Sequence, residues 1–113
     1  MKPEYSFAYN LRGVSKAKVN DLEGAIKDHN KAIEIKSDYA DAYYFRANSK
    51  KKLGIPFVSD YTKAIELKPD YLDAYLNRAN SKKTLGNPFC SDYKKACELG
   101  DPQSCDCHNA DCI

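Results

Sequence analysis

The sequence lacks several features that mark common protein classes. It has no tryptophan and one methionine in 113 residues, and its five glycines and five prolines sit at a few specific places. No stretch approaches the roughly 20 apolar residues that a membrane-spanning helix needs, so we expect no membrane association. The first residues also lack the apolar run of a signal peptide. The sequence therefore predicts a cytoplasmic protein.

An excess of charge of one sign is also missing. The chain has 18 basic and 16 acidic side chains, which gives a net charge of +2. This balance gives no general attraction to nucleic acid or to an anionic membrane, so neither is expected as a partner. The sequence has no glycine-rich phosphate loop and no glutamate–histidine metalloprotease motif, and His108 has no serine partner at a nucleophile motif. We therefore expect no enzymatic activity and no cofactor.

What the chain does contain is an internal repeat. When the sequence is shifted by 32 residues, residues 39–67 lie on residues 71–99, and 21 of the 29 positions are identical. Chance would give about two identities at ordinary residue frequencies. Such self-similarity is the signature of a repeat architecture, in which each copy is one supersecondary unit.

A more diverged copy precedes these two. Its first half matches the second copy at a shift of 34, and its second half matches at a shift of 32. The two-residue difference lies between about residues 17 and 27, where Asn20 and Asp21 predict a turn. We therefore divide a single domain, residues 1–113, into repeats over about 5–38, 39–70 and 71–100, followed by a C-terminal cap over 101–113.

Each copy is predicted to form two helices. Apolar side chains recur at helical spacing and none alternate with period two, which argues against strands. In the second copy, Asp38 is expected to cap the first helix, Gly54 to end it and Pro56 to start the next, which closes near Leu67. The third copy repeats this pattern with Asp70, Gly86, Asn87 and Pro88. One such pair cannot bury its apolar face alone, but stacked neighbours can.

Aromatic and small residues recur at fixed places in the copies. The first copy has them at Tyr9, Gly13, Ala25, His29 and Ala32, the second at Tyr43, Ala47, Ala64 and Pro69, and the third at Tyr75, Ala79 and Ala96. In this pattern the chain resembles the tetratricopeptide repeat family from about Tyr5 to Leu99. The resemblance implies an all-α, right-handed solenoid of three helix pairs plus a C-terminal capping helix.

The resemblance also implies a function, namely a protein–protein interaction module that acts as a scaffold or adaptor. Such arrays bind a peptide or partner segment in the concave groove lined by the first helix of each pair. The groove places fall on Asn10, Val14, Ala17, Tyr44, Asn48, Lys51, Leu76, Asn80 and Lys83. The asparagine amides could grip an extended backbone, and Lys51, Lys83 and Lys52 could attract acidic groups. The alternative is that these lysines form only a solvated helix face.

One arginine recurs in each copy, at Arg12, Arg46 and Arg78, where the family usually has leucine. These residues could form a ladder for acidic ligands. We favour a structural role, in which their stems pack between helices and their guanidinium groups reach acidic neighbours or carbonyl ends.

The C-terminal cysteines leave several interpretations open. Free cysteine packs like a small hydrophobe, which is our first interpretation for Cys90 and Cys97. Cys97 and Cys105 also resemble the cysteine-rich Sel1-like repeats, which implies a disulfide between them. A zinc site of Cys97, Cys105, His108 and Cys112 is conceivable, but the spacing does not match zinc fingers, so no metal is expected. The alternative functions are thus a metal-binding or redox-sensitive module, or a structural fragment of a longer array that could self-associate.

Overall fold

The computed structural model describes residues 3–86 and 89–105, and the regular structure in this part is entirely α-helical. The six helices are α1 (Pro3–Lys18), α2 (Leu22–Ile35), α3 (Ala40–Leu53), α4 (Val58–Leu67), α5 (Leu72–Thr84) and α6 (Cys90–Glu98). A helical turn follows over residues 102–105, where the C-terminal cap was predicted to begin. The predicted all-α class of helical hairpins is confirmed. The rest of the predicted cap lies outside the described residues.

The chain divides into two compact units, Met1–Leu67 and Lys68–Ile113. The first unit contains two helical hairpins, α1 with α2 and α3 with α4, and α3 also packs on α2. The second unit contains the hairpin of α5 and α6. The prediction of a single domain stays a prediction. None of the described helices combines the length and apolarity that crossing a membrane requires.

Several helix boundaries follow local sequence signals. Asn20 adopts a left-handed conformation with φ of 69° in the turn after α1, and the Asp21 carboxylate accepts a hydrogen bond from the Gly24 N–H at 3.1 Å. Gly54 has a φ of 75° and caps the C-terminus of α3, since glycine adopts this conformation at no steric cost. The turn at Asn20, the end at Gly54 and the close of α4 at Leu67 were all predicted correctly.

Two predicted helix starts are wrong. The caps of α3 and α5 are Tyr39 and Tyr71, one residue after the predicted Asp38 and Asp70, and they make no side-chain cap bond. The reason is that the Tyr39 and Tyr71 carbonyls accept the first helical hydrogen bonds, while Asp38 pairs with Lys36 at 3.2 Å.

The start of α4 also differs from the prediction. The carbonyl of Phe57 accepts hydrogen bonds from the N–H groups of Asp60 and Tyr61, so the helix begins at Val58. Pro56 therefore precedes the helix and does not occupy its first position. The corresponding residues of the third copy, Asn87 and Pro88, lie outside the described residues.

The helices pack through small side chains. In the first unit the fully buried alanines are Ala25, Ala32, Ala42, Ala47 and Ala64, and in the second they are Ala74, Ala79 and Ala96. A methyl group at these places lets two helix backbones approach closely, while aromatic rings such as Tyr61 and Tyr93 fill the space beside them. This packing fixes the first helices of the hairpins, which carry the predicted binding residues.

Candidate functional site

An open cavity of about 180 Å³ lies in the first unit, between helices α1 and α3. Its lining consists of Val14, Ala17, Lys18, His29, Phe45, Asn48, Ser49 and Lys52. Three of these, Val14, Ala17 and Asn48, are places where the tetratricopeptide resemblance predicts a groove-facing side chain. Lys52 had been considered beside them, whereas Lys18, His29 and Phe45 had not been assigned to the groove.

His29 forms part of the cavity wall from α2, and its side chain is fully buried. Neither Nδ1 nor Nε2 has a hydrogen-bond partner among the described residues. The ring stacks on Phe45 with centroids 6.1 Å apart, and a Cβ at Gly13 would lie only 2.9 Å from Nε2. Burial lowers the pKa of His29 to about 4, so the imidazole is neutral near pH 7.

The cavity rim carries positive charge from the last turns of α1 and α3. Lys18 and Lys52 both line the cavity, and within the described part of the chain neither forms an ion pair. Their neighbours Lys16 and Lys50 are instead engaged by buried aspartates, at 3.1 and 3.0 Å. The free lysine charges can therefore act on an anionic group that enters the cavity.

Asn48 is held in place from the adjacent hairpin helix. The hydroxyl of Tyr61 donates a hydrogen bond to Oδ1 of Asn48, and Tyr93 makes the same bond to Asn80 in the second unit. Burial raises the pKa of Tyr61, which keeps its hydroxyl protonated as the donor. Because the amide oxygens are occupied, the NH2 groups of Asn48 and Asn80 are left to donate to a bound carbonyl.

The other predicted groove residues differ in exposure. Tyr44 is half-buried, with its ring centroid 5.1 Å from that of Phe45, and Lys51 is exposed. Asn10 is only 4% exposed, so it lies beneath the open surface.

On α5 in the second unit, the predicted residues are Leu76, Asn80 and Lys83. Leu76 is half-buried, and Asn80 and Lys83 are exposed. The Lys83 ammonium lies 5.6 Å from the centroid of the Phe89 ring. The helix thus offers an amide and a cation on an accessible face.

The recurring arginines have the structural role that we favoured. In each hairpin the arginine of the first helix makes two hydrogen bonds to a buried aspartate of the second helix, and a lysine one turn on reaches the same carboxylate. These clusters are Arg12, Lys16 and Asp28; Arg46, Lys50 and Asp60; and Arg78, Lys82 and Asp92. Each arginine also lies over a tyrosine ring at Tyr9, Tyr43 or Tyr75. Sequence reasoning missed the aspartates, although they recur at the same 32-residue interval.

These contacts hold Asp28 and Asp60 ionised. Hydrogen bonding by Arg12 keeps the pKa of Asp28 below its ordinary value, against the opposing effect of burial. Burial raises the pKa of Asp60, but the hydrogen bonds from Arg46 and Lys50 outweigh it, so that pKa also lies below its usual value. Each carboxylate is therefore bound by the arginine and lysine of its own hairpin and is not available to a ligand.

Cys90 and Cys97 do not pack as free buried thiols, contrary to our first interpretation. The Sγ atoms of Cys97 and Cys105 are bonded to each other, and Cys90 is also disulfide-bonded. Two of the four residues of the conceivable zinc site are therefore joined as a disulfide, while His108 and Cys112 lie outside the described residues. Within the described part, no three histidine, cysteine or acidic side chains group as metal ligands.

Comparison with known sequences identifies one segment. Residues 16–54 match the sequence profile of the TPR repeat, that is, the tetratricopeptide repeat. This match spans α2 and α3, which contribute His29, Phe45, Asn48 and Lys52 to the cavity. No curated protein matches the chain significantly.

Solved structures share the fold over nearly the whole chain. The first TPR domain of Spaghetti (RPAP3), bound to the HSP90 peptide SRMEEVD, is 18% identical with a TM-score of 0.85, over 96% of this chain and 94% of that one. The TPR domain of Arabidopsis OM64 is 21% identical with a TM-score of 0.82, over 94% and 93%. MamA is 24% identical with a TM-score of 0.82, over 91% of this chain, which spans only 63% of the MamA chain.

Proposed function

Since residues 16–54 are a tetratricopeptide repeat and the chain has the fold of such domains, we propose that it is a protein–protein interaction module without catalytic activity. It holds an extended segment of a partner protein against the first helices of its hairpins. The partner is a peptide or protein rather than nucleic acid or a membrane, since the net charge of +2 attracts neither.

The observation that carries this proposal is the open cavity between α1 and α3. It combines an apolar wall at Val14, Ala17 and Phe45 with an amide donor at Asn48. An extended segment presents alternating side chains and backbone carbonyls, which such a surface can bind together. The peptide bound by the RPAP3 domain supports the class of partner, a peptide, and not its sequence.

The proposed contact residues lie on two helices. In the first unit they are Tyr44, Asn48 and Lys51 of α3, with Asn10 supporting the surface from below. In the second unit Leu76, Asn80 and Lys83 occupy the matching places on α5. Asn48 and Asn80 are 32 residues apart, as are Lys51 and Lys83, so α3 in the first unit and α5 in the second each carry the same kind of donor.

The test is affinity capture followed by mass spectrometry, with the wild-type protein beside an Asn48→Ala, Asn80→Ala variant. Because both asparagines accept hydrogen bonds from tyrosines, the matched control is Tyr61→Phe, Tyr93→Phe, which removes those bonds but keeps the amides. We expect the asparagine variant to lose partners that the tyrosine variant retains. Equal recovery by all three proteins would refute the groove assignment.

The disulfide favours a second candidate, a redox-sensitive module, and it bears on the compartment. Cysteine pairs persist as disulfides in oxidising compartments and are reduced in the cytosol. We expected a cytoplasmic protein, and there Cys97 and Cys105 would be thiols that oxidise only under stress. Alkylation of free thiols in intact cells, followed by mass spectrometry of the peptide that contains Cys105, tests this. A persistently blocked pair would contradict a cytoplasmic location.

A further inference from the structure

We infer that the outer face of α1 is a self-association surface, on which a second copy of this chain docks its own α1 in antiparallel orientation. The centre of the contact is Ala8. The outer face consists of five exposed side chains, those of Glu4, Tyr5, Ala8, Leu11 and Arg12.

The outer face of α1 is open where the equivalent face of α3 is covered. At the 34-residue shift Ala8 corresponds to Ala42 and Arg12 to Arg46, and α3 packs this face on α2. Ala42 is fully buried, whereas Ala8 is exposed. The side chain of Arg46 is 18% exposed and that of Arg12 is 59% exposed. An open depression of about 390 Å³ remains on α1, lined by Tyr5, Ala8, Tyr9 and Arg12.

Arg12 keeps a hydrogen-bond donor that its counterpart on α3 uses. Besides its two bonds to Asp60, Arg46 donates from Nη1 to the side chain of Asn30 on α2 at 2.9 Å. Arg12 makes the matching two bonds to Asp28, but its Nη1 has no partner among the described residues. A helix that docks on α1 with an acceptor at this level would use the donor as Asn30 does.

The charges of the outer face are complementary to those of the same face on a second copy. Glu4 and Arg12 lie four residues before and after Ala8, which is about 6 Å along the helix in each direction. When two α1 helices pair antiparallel with Ala8 at the crossing, Glu4 of each copy therefore lies beside Arg12 of the other. Glu4 forms no ion pair within the described part of the chain, and Arg12 and Lys16 share the single carboxylate of Asp28. The pairing thus creates two ion pairs and supplies the acceptor for Nη1.

The packing at such a crossing is favourable but small. Ala8 has only a methyl group, so the two backbones can approach closely, and the exposed apolar side chains of Tyr5 and Leu11 lie beside it. One helix from each copy buries less surface than the roughly 1,200 Å² of most stable complexes. We therefore expect a weak dimer, with a dissociation constant on the order of 100 µM.

A second copy could in principle offer α6 instead, but its charge is unfavourable. Two 32-residue shifts place Lys94 of α6 at the position of Asn30 of α2. If α6 docked on α1 as α2 docks on α3, the Lys94 ammonium would meet the Arg12 guanidinium. This repulsion disfavours an open head-to-tail array and favours a closed pair with twofold symmetry.

The outer face is separate from the proposed peptide groove. Ala17 follows Ala8 by nine residues, which is about two and a half turns, so the two side chains leave α1 in opposite directions. Antiparallel pairing around Ala8 therefore leaves the cavity at Ala17 open. The inference goes beyond the proposed function, and either one can fail without the other.

Sedimentation equilibrium of the full chain tests the inference. Free thiols are alkylated beforehand, so that disulfides cannot link two copies. Over a range of about 10 to 500 µM, we expect the mean mass to rise from that of one chain, 12.7 kDa, toward twice that value. A mass that stays at 12.7 kDa over the whole range overturns the inference.

A matched pair of charge variants tests the ion pairs. Glu4→Lys turns both into contacts between like charges and should weaken dimerisation by about tenfold or more. Glu23→Lys makes the same change in charge at an exposed glutamate in the first turn of α2 and should leave dimerisation unchanged. Equal dissociation constants for the two variants would overturn the pairing of Glu4 with Arg12.

Ala8→Glu tests the crossing point. It places two long, like-charged side chains where the helices approach most closely, and it should abolish the dimer. Because Ala8 is exposed within one copy, the variant should keep the wild-type unfolding midpoint, which thermal denaturation checks. A dimer that survives Ala8→Glu would refute the inference, and Glu4→Lys gives an independent result if this variant does not fold.

The orientation is measured with a mixture of isotope-labelled and unlabelled chains in equal amounts. Isotope-filtered nuclear Overhauser spectra then report only contacts between two copies. We expect signals between the two Ala8 methyl groups, and between the Tyr5 ring of one copy and the Arg12 side chain of the other. Signals from Ala8 to α6 would indicate the open array, and signals at Asn48 a dimer through the groove. Either result would overturn antiparallel pairing.

Discussion

Arg46 and Asp60 are joined by two parallel hydrogen bonds across the hairpin of α3 and α4. Nε donates to Oδ2 at 2.9 Å, and Nη2 donates to Oδ1 at 2.7 Å. The aspartate side chain is only 6% exposed and the arginine 18%. The remaining nitrogen Nη1 donates to Asn30 on α2 at 2.9 Å, so one guanidinium ties together three helices of the first unit.

Replacing Asp60 should therefore destabilise the first unit strongly. In Asp60→Asn the two cations Arg46 and Lys50 remain in a partly buried site without their anion, which should cost about 3 kcal/mol of unfolding free energy. Urea denaturation at pH 7 measures the change. The matched control is Asp38→Asn, which breaks the exposed pair with Lys36 and should cost less than about 0.5 kcal/mol. Similar losses in both variants would contradict the structural role of the cluster.

Substitution of Gly13 should expose how closely α1 approaches α2. A Cβ at this position would lie 2.8 Å from Cε1 of His29 and 3.1 Å from the carbonyl oxygen of Ala25. Gly13→Ala should therefore destabilise the protein by about 1–3 kcal/mol, despite the higher helix propensity of alanine. Thermal or urea unfolding gives the value.

A double-mutant cycle identifies the cause of that loss. In a His29→Ala background the ring that the new methyl group meets is absent, so Gly13→Ala should cost less there than in the wild-type protein. Equal costs in the two backgrounds would place the strain at the Ala25 carbonyl instead.

Stability should fall in mild acid because His29 is buried in its neutral form. Its pKa is about 4 in the folded state and about 6.5 in the unfolded chain. Between these two pH values His29 is protonated in the unfolded chain but stays neutral in the folded state. The unfolding free energy therefore has its maximum value above pH 6.5 and decreases as the pH falls toward 4. The total loss is about 3 kcal/mol. Urea midpoints between pH 8 and pH 4 measure it.

The variant His29→Phe separates this effect from the aspartates. It should flatten the profile between pH 6.5 and 4, while the decline below about pH 4 remains. That decline comes from Asp28 and Asp60, whose lowered pKa values make them stabilising only while they are ionised. An unchanged profile in His29→Phe would show that another group is responsible.

The disulfide should stabilise the second unit locally. Cys97 and Cys105 are eight residues apart in sequence, so the bond closes a short loop and should contribute about 2–3 kcal/mol by constraining the unfolded chain. We expect Cys97→Ser with Cys105→Ser to speed amide exchange in α6. Exchange in α1 to α3 of the first unit serves as the internal reference. Unaltered exchange in α6 would contradict a stabilising bond.

The fold could be predicted from the sequence because the signals that specify its helices are local and recur in each copy. Three sequence features carried the prediction: the helical spacing of apolar residues, Gly54 as a helix end, and the identity between copies 32 residues apart. Each can be recognised within a segment no longer than one repeat. They predicted all six described helices as pairs. The predicted helix starts at Asp38 and Pro56 were wrong. The start of each helix is set by the carbonyl that accepts its first hydrogen bonds, which is that of Tyr39 for α3 and that of Phe57 for α4.

The candidate site was only partly predictable. Val14, Ala17 and Asn48 follow from their place in the repeat, and they do line the cavity. The Arg46–Asp60 pair could have been found by aligning the recurring aspartates with the recurring arginines. The burial of Asn10 could not have been predicted, because it arises only when the helices pack together.

The sequence by itself determined a chain of helical hairpins with small residues at the helix contacts, because period and residue size are properties of short segments. Only the tertiary structure decided which polar groups meet. His29 and Tyr61 occupy the same place in their repeats. Tyr61 donates a hydrogen bond to Asn48, whereas the ring nitrogens of His29 have no hydrogen-bond partner among the described residues. The difference depends on which group faces each side chain across the helix interface, and neither residue's own segment encodes that.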